Sequence, residues 1–186
     1  MKTEEATQNA SKILHFYDFK VENEPWNIYL LEDHAKLKVK IILVTFALDY
    51  PLEDIARQKK ETGKPVRVGV ANNFNVVSGV EVPPSILGVP GETPPKEELR
   101  KHVVKEDIEV LQTNEIWNEY RIEKGINLKA KYVLTNVDRT DVRDPNGSPI
   151  YLVNGDIAVK LRFPKSLEGS AELPKKSSNR TKDSPT

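Results

Sequence analysis

The sequence predicts a mainly β protein, an antiparallel sandwich or a partly open barrel with one or two short helices and a proline-rich loop. Apolar and polar residues alternate in several segments, turn-forming residues separate these segments, and only one stretch has clear helical spacing. With 186 residues and 38% hydrophobic content, the chain can bury one core. We therefore expect one domain with about eight to ten strands.

The predicted domain covers residues 13–164 and lies between two polar tails. Residues 1–12 have no apolar stretch, and residues 165–186 are rich in Ser, Lys, Pro and Asn. Such segments bury too little apolar surface to offset the entropy of ordering them. We expect both tails to be disordered.

The N-terminal half begins with strand signals. Residues 13–21 and 26–31 are rich in aromatic and aliphatic residues, which predicts two short strands. In Lys36–Leu48, lysines first alternate with apolar residues, and the segment then becomes almost wholly apolar from Ile41. This pattern predicts a strand whose second half is buried on both faces.

One amphipathic helix follows Pro51. Leu52, Ile55, Ala56 and Lys59 share a face, and Gly63 stands just beyond the expected end, which predicts a helix of about three turns. Residues 66–70 and 74–82 then predict a hairpin that turns at Asn72-Asn73.

Residues 82–95 form the proline-rich loop, which holds five prolines and is neither helix nor central strand. Its apolar residues Ile86, Leu87 and Val89 are the interface candidates, because a stiff loop loses little entropy when it docks on a partner protein or a second copy. The alternative is that the loop covers its own core. A short helix capped by Thr93 is expected next.

The C-terminal half predicts two hairpins. In residues 116–134, mostly apolar residues alternate with mostly polar residues before and after a turn at Lys124-Gly125. After the Asp144–Gly147 turn, Asn154-Gly155 separates two further apolar segments and predicts the second hairpin.

The sequence contains no signature that predicts catalysis. It has no cysteine, which excludes thiolate nucleophiles, disulfides and cysteine-based metal sites. Its three histidines lack metal-ligand spacing, and Glu32-Asp33-His34 favours a polar turn. No phosphate loop, nucleophile elbow or dinucleotide fingerprint is present. We expect no cofactor, no metal and no enzymatic activity.

One cluster keeps a catalytic alternative open. Asp138, Asp141, Asp144 and Asn146 lie close together in sequence, but a calcium loop starting at Asp144 would need glycine where Pro149 stands. Asp and Asn are also common near a Pro-Asn-Gly turn because they bond their own backbone. The alternative is a small metal-assisted hydrolase that uses these carboxylates and a histidine.

A second alternative is a nucleic-acid-binding module. The 28 basic and 28 acidic residues leave no net charge, so binding to a polyanion needs a local patch. Lysine-lined strands provide the candidates, which are Lys36, Lys38, Lys40, Lys129, Lys131, Lys160 and Arg162. They form one basic surface only if their strands are neighbours. Otherwise they serve solubility and edge protection.

The expected location is the cytoplasm. The N-terminal residues lack the apolar region of a secretory signal, and no run approaches the ~20 apolar residues of a membrane span. We therefore expect no membrane partner. Frequent Lys, Glu, Ile and Val, with one Met and no Cys, are typical of a thermophile.

The strand Lys36–Leu48 and the cysteine-poor, β-rich build resemble the accessory seventh (Cmr-type) subunit of type III-B CRISPR effector complexes, which act in archaeal antiviral defence. The resemblance spans about residues 26–163 and transfers no site residue. It implies a homodimeric, non-catalytic subunit on the outside of an RNA-binding complex. The leading hypothesis is therefore a self-associating interaction or assembly subunit within a larger ribonucleoprotein complex.

Overall fold

The structure, a computed structural model, describes residues 13–173. Two five-stranded antiparallel sheets enclose one core, and a small two-stranded parallel sheet and two short α-helices complete the described part of the chain. The mainly β class and the sandwich arrangement predicted from the sequence are confirmed. The described residues contain twelve strands, which is more than expected.

The helices are α1 (Leu52–Thr62) and α2 (Lys96–Leu99). The strands in chain order are β1 (His15–Phe16), β2 (Phe19–Asn23), β3 (Asn27–Leu31), β4 (Lys36–Leu48), β5 (Val66–Arg67), β6 (Val70–Glu81), β7 (Val103–Lys105), β8 (Val110–Asn114), β9 (Asn118–Ile122), β10 (Ile126–Arg143), β11 (Pro149–Arg162) and β12 (Ala171–Glu172).

Each large sheet is built around one long strand. In the first sheet, β4 pairs with β6 along its whole length and with β3 and β1 on its other side, and β8 lies beyond β3. In the second sheet, β10 pairs with β11 on one side and with β9 and β7 on the other, and β2 lies beyond β9. The long strands β6 and β11 are therefore the last strands of their sheets on one side.

The core lies between the inner faces of the two sheets. Alternate residues of β4 are buried, including Leu37, Val39 and Ile41, and they belong to one cluster with Leu128 and Ala130 of β10. Because successive side chains of a strand point to opposite faces, the lysines between these residues point away from the core. The buried Asn118 of β9 donates a hydrogen bond to the carbonyl oxygen of Ile41 at 2.8 Å, which ties the sheets together.

Two local predictions are confirmed. The helix after Pro51 is α1, and Gly63 ends it with a φ of 70° while its N–H donates to the carbonyl oxygen of Lys59. The hairpin in residues 116–134 is formed by β9 and the first part of β10, with Lys124 and Gly125 at φ values of 58° and 81° in the turn.

The hairpin expected at Asn72-Asn73 is wrong. β6 runs without interruption through both asparagines, because Asn72 pairs with Phe46 and Asn73 with Thr45 in the ladder with β4. Val66–Arg67 instead pairs in parallel with Ala171–Glu172. A long partner strand outweighs the local turn preference of asparagine.

The break expected at Asn154-Gly155 is also wrong, because β11 continues from Pro149 to Arg162. A register shift lies between Leu134 and Asn136 on the facing strand. The Tyr132 ring packs so closely that a Cβ on Gly155 would lie 2.3 Å from its Cζ atom. The glycine therefore marks a bulge and a close contact rather than a turn.

The domain extends beyond the predicted boundary at Pro164. Residues Lys165–Leu167 form a 3-10 turn that buries Leu167, and β12 follows. Part of the tail expected to be disordered therefore belongs to the domain. The remaining tail predictions, for residues 1–12 and 174–186, lie outside the described residues.

Candidate interaction surfaces

The proline-rich loop is held against the turn between β10 and β11. The Gly88 N–H donates to the carbonyl oxygen of Gly147 at 2.9 Å, and Arg143 Nη1 donates to that of Ile86 at 2.6 Å. The short helix after the loop is α2, which begins after Pro95 and is shorter than expected, and Thr93 does not cap it.

The three interface candidates of this loop have different environments. Ile86 is half-buried and packs against the core, whereas Leu87 and Val89 are exposed, Leu87 to 46%. The loop therefore covers its own core with Ile86 and leaves Leu87 and Val89 exposed. That these residues dock on a partner stays a prediction.

The free edge of β6 is a candidate surface that sequence reasoning missed. Among residues 13–173, β6 pairs only with β4, so its other edge has no partner strand. Its twelve residues include no proline and no charge before Glu81. Natural edge strands usually carry lysine, proline or bulges that prevent pairing with another chain. By contrast, the edge strand β11 contains Pro149, Asp156, Lys160 and Arg162.

The sandwich is open on the side where β6 and β11 end the sheets. Val76 lies opposite the buried Ile41 and therefore on the inner face of the first sheet, yet it is 49% exposed. Val159 lies opposite the buried Ala130 on the inner face of the second sheet and is 38% exposed. A cleft of about 600 Å³ lies on this side, lined among others by Ser78, Leu152, Asn154 and Lys96.

The lysines of β4 lie on the outer face of the first sheet and are paired. Lys36 and Lys38 both contact Glu81, and Lys40 Nζ lies 3.2 Å from Glu24. Bonding to Lys38 lowers the pKa of Glu81. Three lysines thus share two carboxylates, which leaves one positive charge in excess on this face.

The remaining basic candidates lie on the outer face of the second sheet. Lys129 lies directly opposite Lys160, and Arg162 lies opposite Asn127. Lys131 also points away from the core, since it alternates with the buried Ala130 and Tyr132. The candidates therefore form two groups on two different sheets rather than one basic surface.

Trp117 joins the second of these groups. The Lys160 Nζ lies 4.4 Å from the centroid of its ring, and the Lys131 Nζ lies 5.7 Å from it. The ladder between β9 and β10 ends at the pair Ala130 and Asn118, and the next residue beyond each of them is Lys131 and Trp117. The contact between Lys131 and Trp117 could have been predicted from the sequence by extending the register of the hairpin by one residue.

The carboxylates of the hydrolase alternative have separate local contacts. Asp138 accepts a hydrogen bond from the Asp107 N–H at 2.8 Å, and Asp141 Oδ1 lies 3.1 Å from His102 Nδ1. Asp144 accepts from backbone N–H groups of its own turn, including that of Ser148. Each carboxylate thus has a contact that shapes a turn or a strand end.

The turn at Glu32-Asp33-His34 is confirmed, with His34 at a φ of 63°. Asp33 also links the first sheet to the second, because its Oδ2 accepts hydrogen bonds from Arg139 Nη1 at 2.9 Å and the Tyr151 hydroxyl at 2.8 Å. Burial is the main cause that raises the pKa of the Tyr151 hydroxyl, and its hydrogen bond to Asp33 is the second cause. The sequence does not reveal these partners, which are 106 and 118 residues away.

No helix within residues 13–173 is long and apolar enough to cross a membrane. In the same range, no group of three or more His, Asp or Glu side chains is arranged to hold a metal ion. No protein-family model, curated protein or solved structure matches the chain.

Proposed function

We propose that this protein is a non-catalytic interaction subunit that self-associates through the free edge of β6. The observation that carries the proposal is the edge itself: twelve residues without proline, uncharged up to Glu81, with no partner strand in the described part of the chain. An edge of this kind presents a row of unpaired N–H and C=O groups that another strand can bind.

A second copy suits this edge better than an unrelated partner. Antiparallel pairing of β6 with itself about a two-fold axis uses the same residues on both chains. It places no like charges opposite each other in the centre of the interface, since the only charge, Glu81, lies at the end of the strand. It also covers Val76, which the second sheet leaves exposed.

The resemblance to the accessory subunit of type III-B CRISPR complexes implies a dimer and transfers no residue of its interface. In such an assembly we assign the contact with other subunits to Leu87 and Val89. The hydrogen bonds of Gly88 and Arg143 hold the loop in place before any partner binds. Docking of this loop would therefore cost little conformational entropy.

Two lysine substitutions test the self-association. Val76→Lys and Leu87→Lys introduce the same charge at side chains of nearly equal exposure, 49% and 46%. By light scattering after size-exclusion chromatography, we expect the full chain to be a dimer, the Val76 variant a monomer and the Leu87 variant still a dimer. Circular dichroism confirms that both variants fold.

Two outcomes contradict the proposal. A monomeric wild-type chain at tens of micromolar would exclude self-association as the function. If Leu87→Lys is a monomer and Val76→Lys is still a dimer, the interface lies in the proline-rich loop and not at the edge of β6.

A further inference from the structure

The outer face of the second sheet carries rows of basic side chains that cross its strands. One row runs from Arg162 through Asn127 and Arg121 to Lys20, each residue lying opposite the next. The neighbouring row runs from Lys160 through Lys129 to Glu119. Neighbouring strands lie about 4.8 Å apart, so these groups form one contiguous surface.

Only part of this positive charge is neutralised within the described residues. Lys129 pairs with Glu119 at 2.5 Å, Lys131 with Glu115 at 2.9 Å and Arg121 with Glu22 at 3.3 Å. Lys20, Lys160 and Arg162 have no carboxylate partner among residues 13–173. Lys129 and Lys160 lie directly opposite each other, an arrangement of like charges that is unfavourable in a sheet.

Trp117 adds an aromatic ring to the same surface. It is half-buried, and the Lys160 ammonium lies over its ring at 4.4 Å, at the end of a flexible, exposed side chain. A cation–π contact at an exposed site is a weak interaction. Lys160 can therefore leave the ring at small cost when an anion binds nearby.

We propose that this face, formed by Trp117, Lys129, Lys160 and Arg162, binds single-stranded nucleic acid. A base stacks on the indole ring of Trp117, while Lys160 moves from the ring to a phosphate and Arg162 contacts a neighbouring phosphate. Lys129 exchanges its exposed, weak pair with Glu119 for a third phosphate. Basic strands combined with an aromatic side chain are the physical requirements of single-strand binding. An acidic peptide or an anionic membrane matches the charge but offers no base to stack on the ring.

This site does not depend on self-association. Its lysines and arginine lie on β10 and β11, Trp117 directly precedes β9, and these side chains point away from the core, whereas the proposed interface is the edge of β6 in the other sheet. A monomeric chain that binds nucleic acid would refute the proposed function alone. A dimer that binds none would refute this inference alone.

The test is binding of the full chain to a fluorescein-labelled oligothymidylate of about 15 nucleotides, which covers the site size of a small single-strand-binding domain. Fluorescence anisotropy gives the dissociation constant between low and physiological salt. Three phosphate contacts predict that log K falls with log salt at a slope of about −2. Trp117→Leu is expected to weaken binding roughly tenfold, because stacking on one base contributes about 1–3 kcal/mol.

Matched double substitutions separate this face from general charge. Lys160→Ala with Arg162→Ala is expected to weaken binding about tenfold or more and to reduce the salt slope by about 1.4. Lys36→Ala with Lys38→Ala removes the same charge from the other sheet and is expected to leave the dissociation constant within about twofold, since these lysines lie on the first sheet and not beside Trp117.

A spectroscopic measurement locates the base. The chain has two tryptophans, so Trp26→Phe leaves Trp117 as the only fluorescent indole. We expect the oligonucleotide to quench this fluorescence. The proposal is overturned if the full chain does not bind at low salt, if the fluorescence does not change, or if the Lys36 and Lys38 control weakens binding as much as the Lys160 and Arg162 pair.

Discussion

Replacing Asp33 with alanine is expected to destabilise the protein strongly, because this carboxylate connects the two sheets. Its side chain is only 11% exposed. It accepts hydrogen bonds from Arg139 at 2.9 Å and Tyr151 at 2.8 Å, and its other oxygen accepts from the Ala35 N–H at 3.2 Å. Asp33→Ala removes all three acceptor contacts at once.

The magnitude follows from what the substitution leaves behind. Removing one partner of a buried ion pair costs about 3–5 kcal/mol, because the other charge stays buried without compensation. The Arg139 side chain is 28% exposed, so water can solvate part of its guanidinium group. We therefore expect a loss of about 2–4 kcal/mol for Asp33→Ala and about 1.5–3 kcal/mol for Tyr151→Phe, which removes a single hydrogen bond to a charged group.

Urea denaturation followed by tryptophan fluorescence measures these losses at one fixed protein concentration, since self-association changes the apparent stability. Asp54→Ala is the matched control, because Asp54 forms an exposed pair with Arg57 at 2.7 Å and should contribute less than about 0.5 kcal/mol. If Asp33→Ala costs no more than this control, the link between the sheets does not stabilise the fold.

Two further predictions concern the core. Gly155→Ala should lower the free energy of unfolding by about 1–3 kcal/mol, because the added methyl group overpacks against the Tyr132 ring. The control is Gly79→Ala in β6, where a Cβ meets no atom within 4 Å and the free energy of unfolding should hardly change. Equal losses for the two variants in urea denaturation would contradict the close contact at Gly155. Burial, opposed in part by Asn118 and reinforced by Glu24, raises the pKa of Tyr120 to about 12. Since this exceeds the value of about 10 for an unfolded tyrosine, its stabilising contribution is complete below pH ~10 and is lost as the pH rises towards ~12. The urea midpoint should therefore fall between pH 10 and 12, and less so in Tyr120→Phe; a midpoint independent of pH over this range would be inconsistent with this burial.

The elements predicted correctly are those whose signal is contained in a short window of sequence. The alternation from Lys36 to Ile41, the helix between Pro51 and Gly63 and the hairpin across Lys124-Gly125 each combine a periodic pattern with a local start or stop signal. The two wrong turns, at Asn72-Asn73 and Asn154-Gly155, also have strong local signals. There the ladder with a long partner strand decides the backbone conformation, and a short window does not contain that strand.

The candidate surfaces were harder to predict than the fold, since they depend on how far one sheet covers the other. Ile86, Leu87 and Val89 could be proposed from their place in a stiff loop. The exposure of Val76 could not, because an apolar residue in an alternating strand is expected to be buried. The contact of Trp117 with Lys160 likewise requires the order of β9, β10 and β11, which no local pattern provides.

Hydrogen exchange at the backbone amides of β6 tests the central claim of self-association most directly. In an antiparallel pair between two copies, the N–H groups of Val70–Glu81 that point away from β4 become hydrogen-bonded. Their protection should therefore increase with protein concentration, while the amides of β11 and of residues 82–95 remain unchanged. Protection of β6 that does not depend on concentration, or a concentration effect confined to residues 82–95, would contradict the assignment.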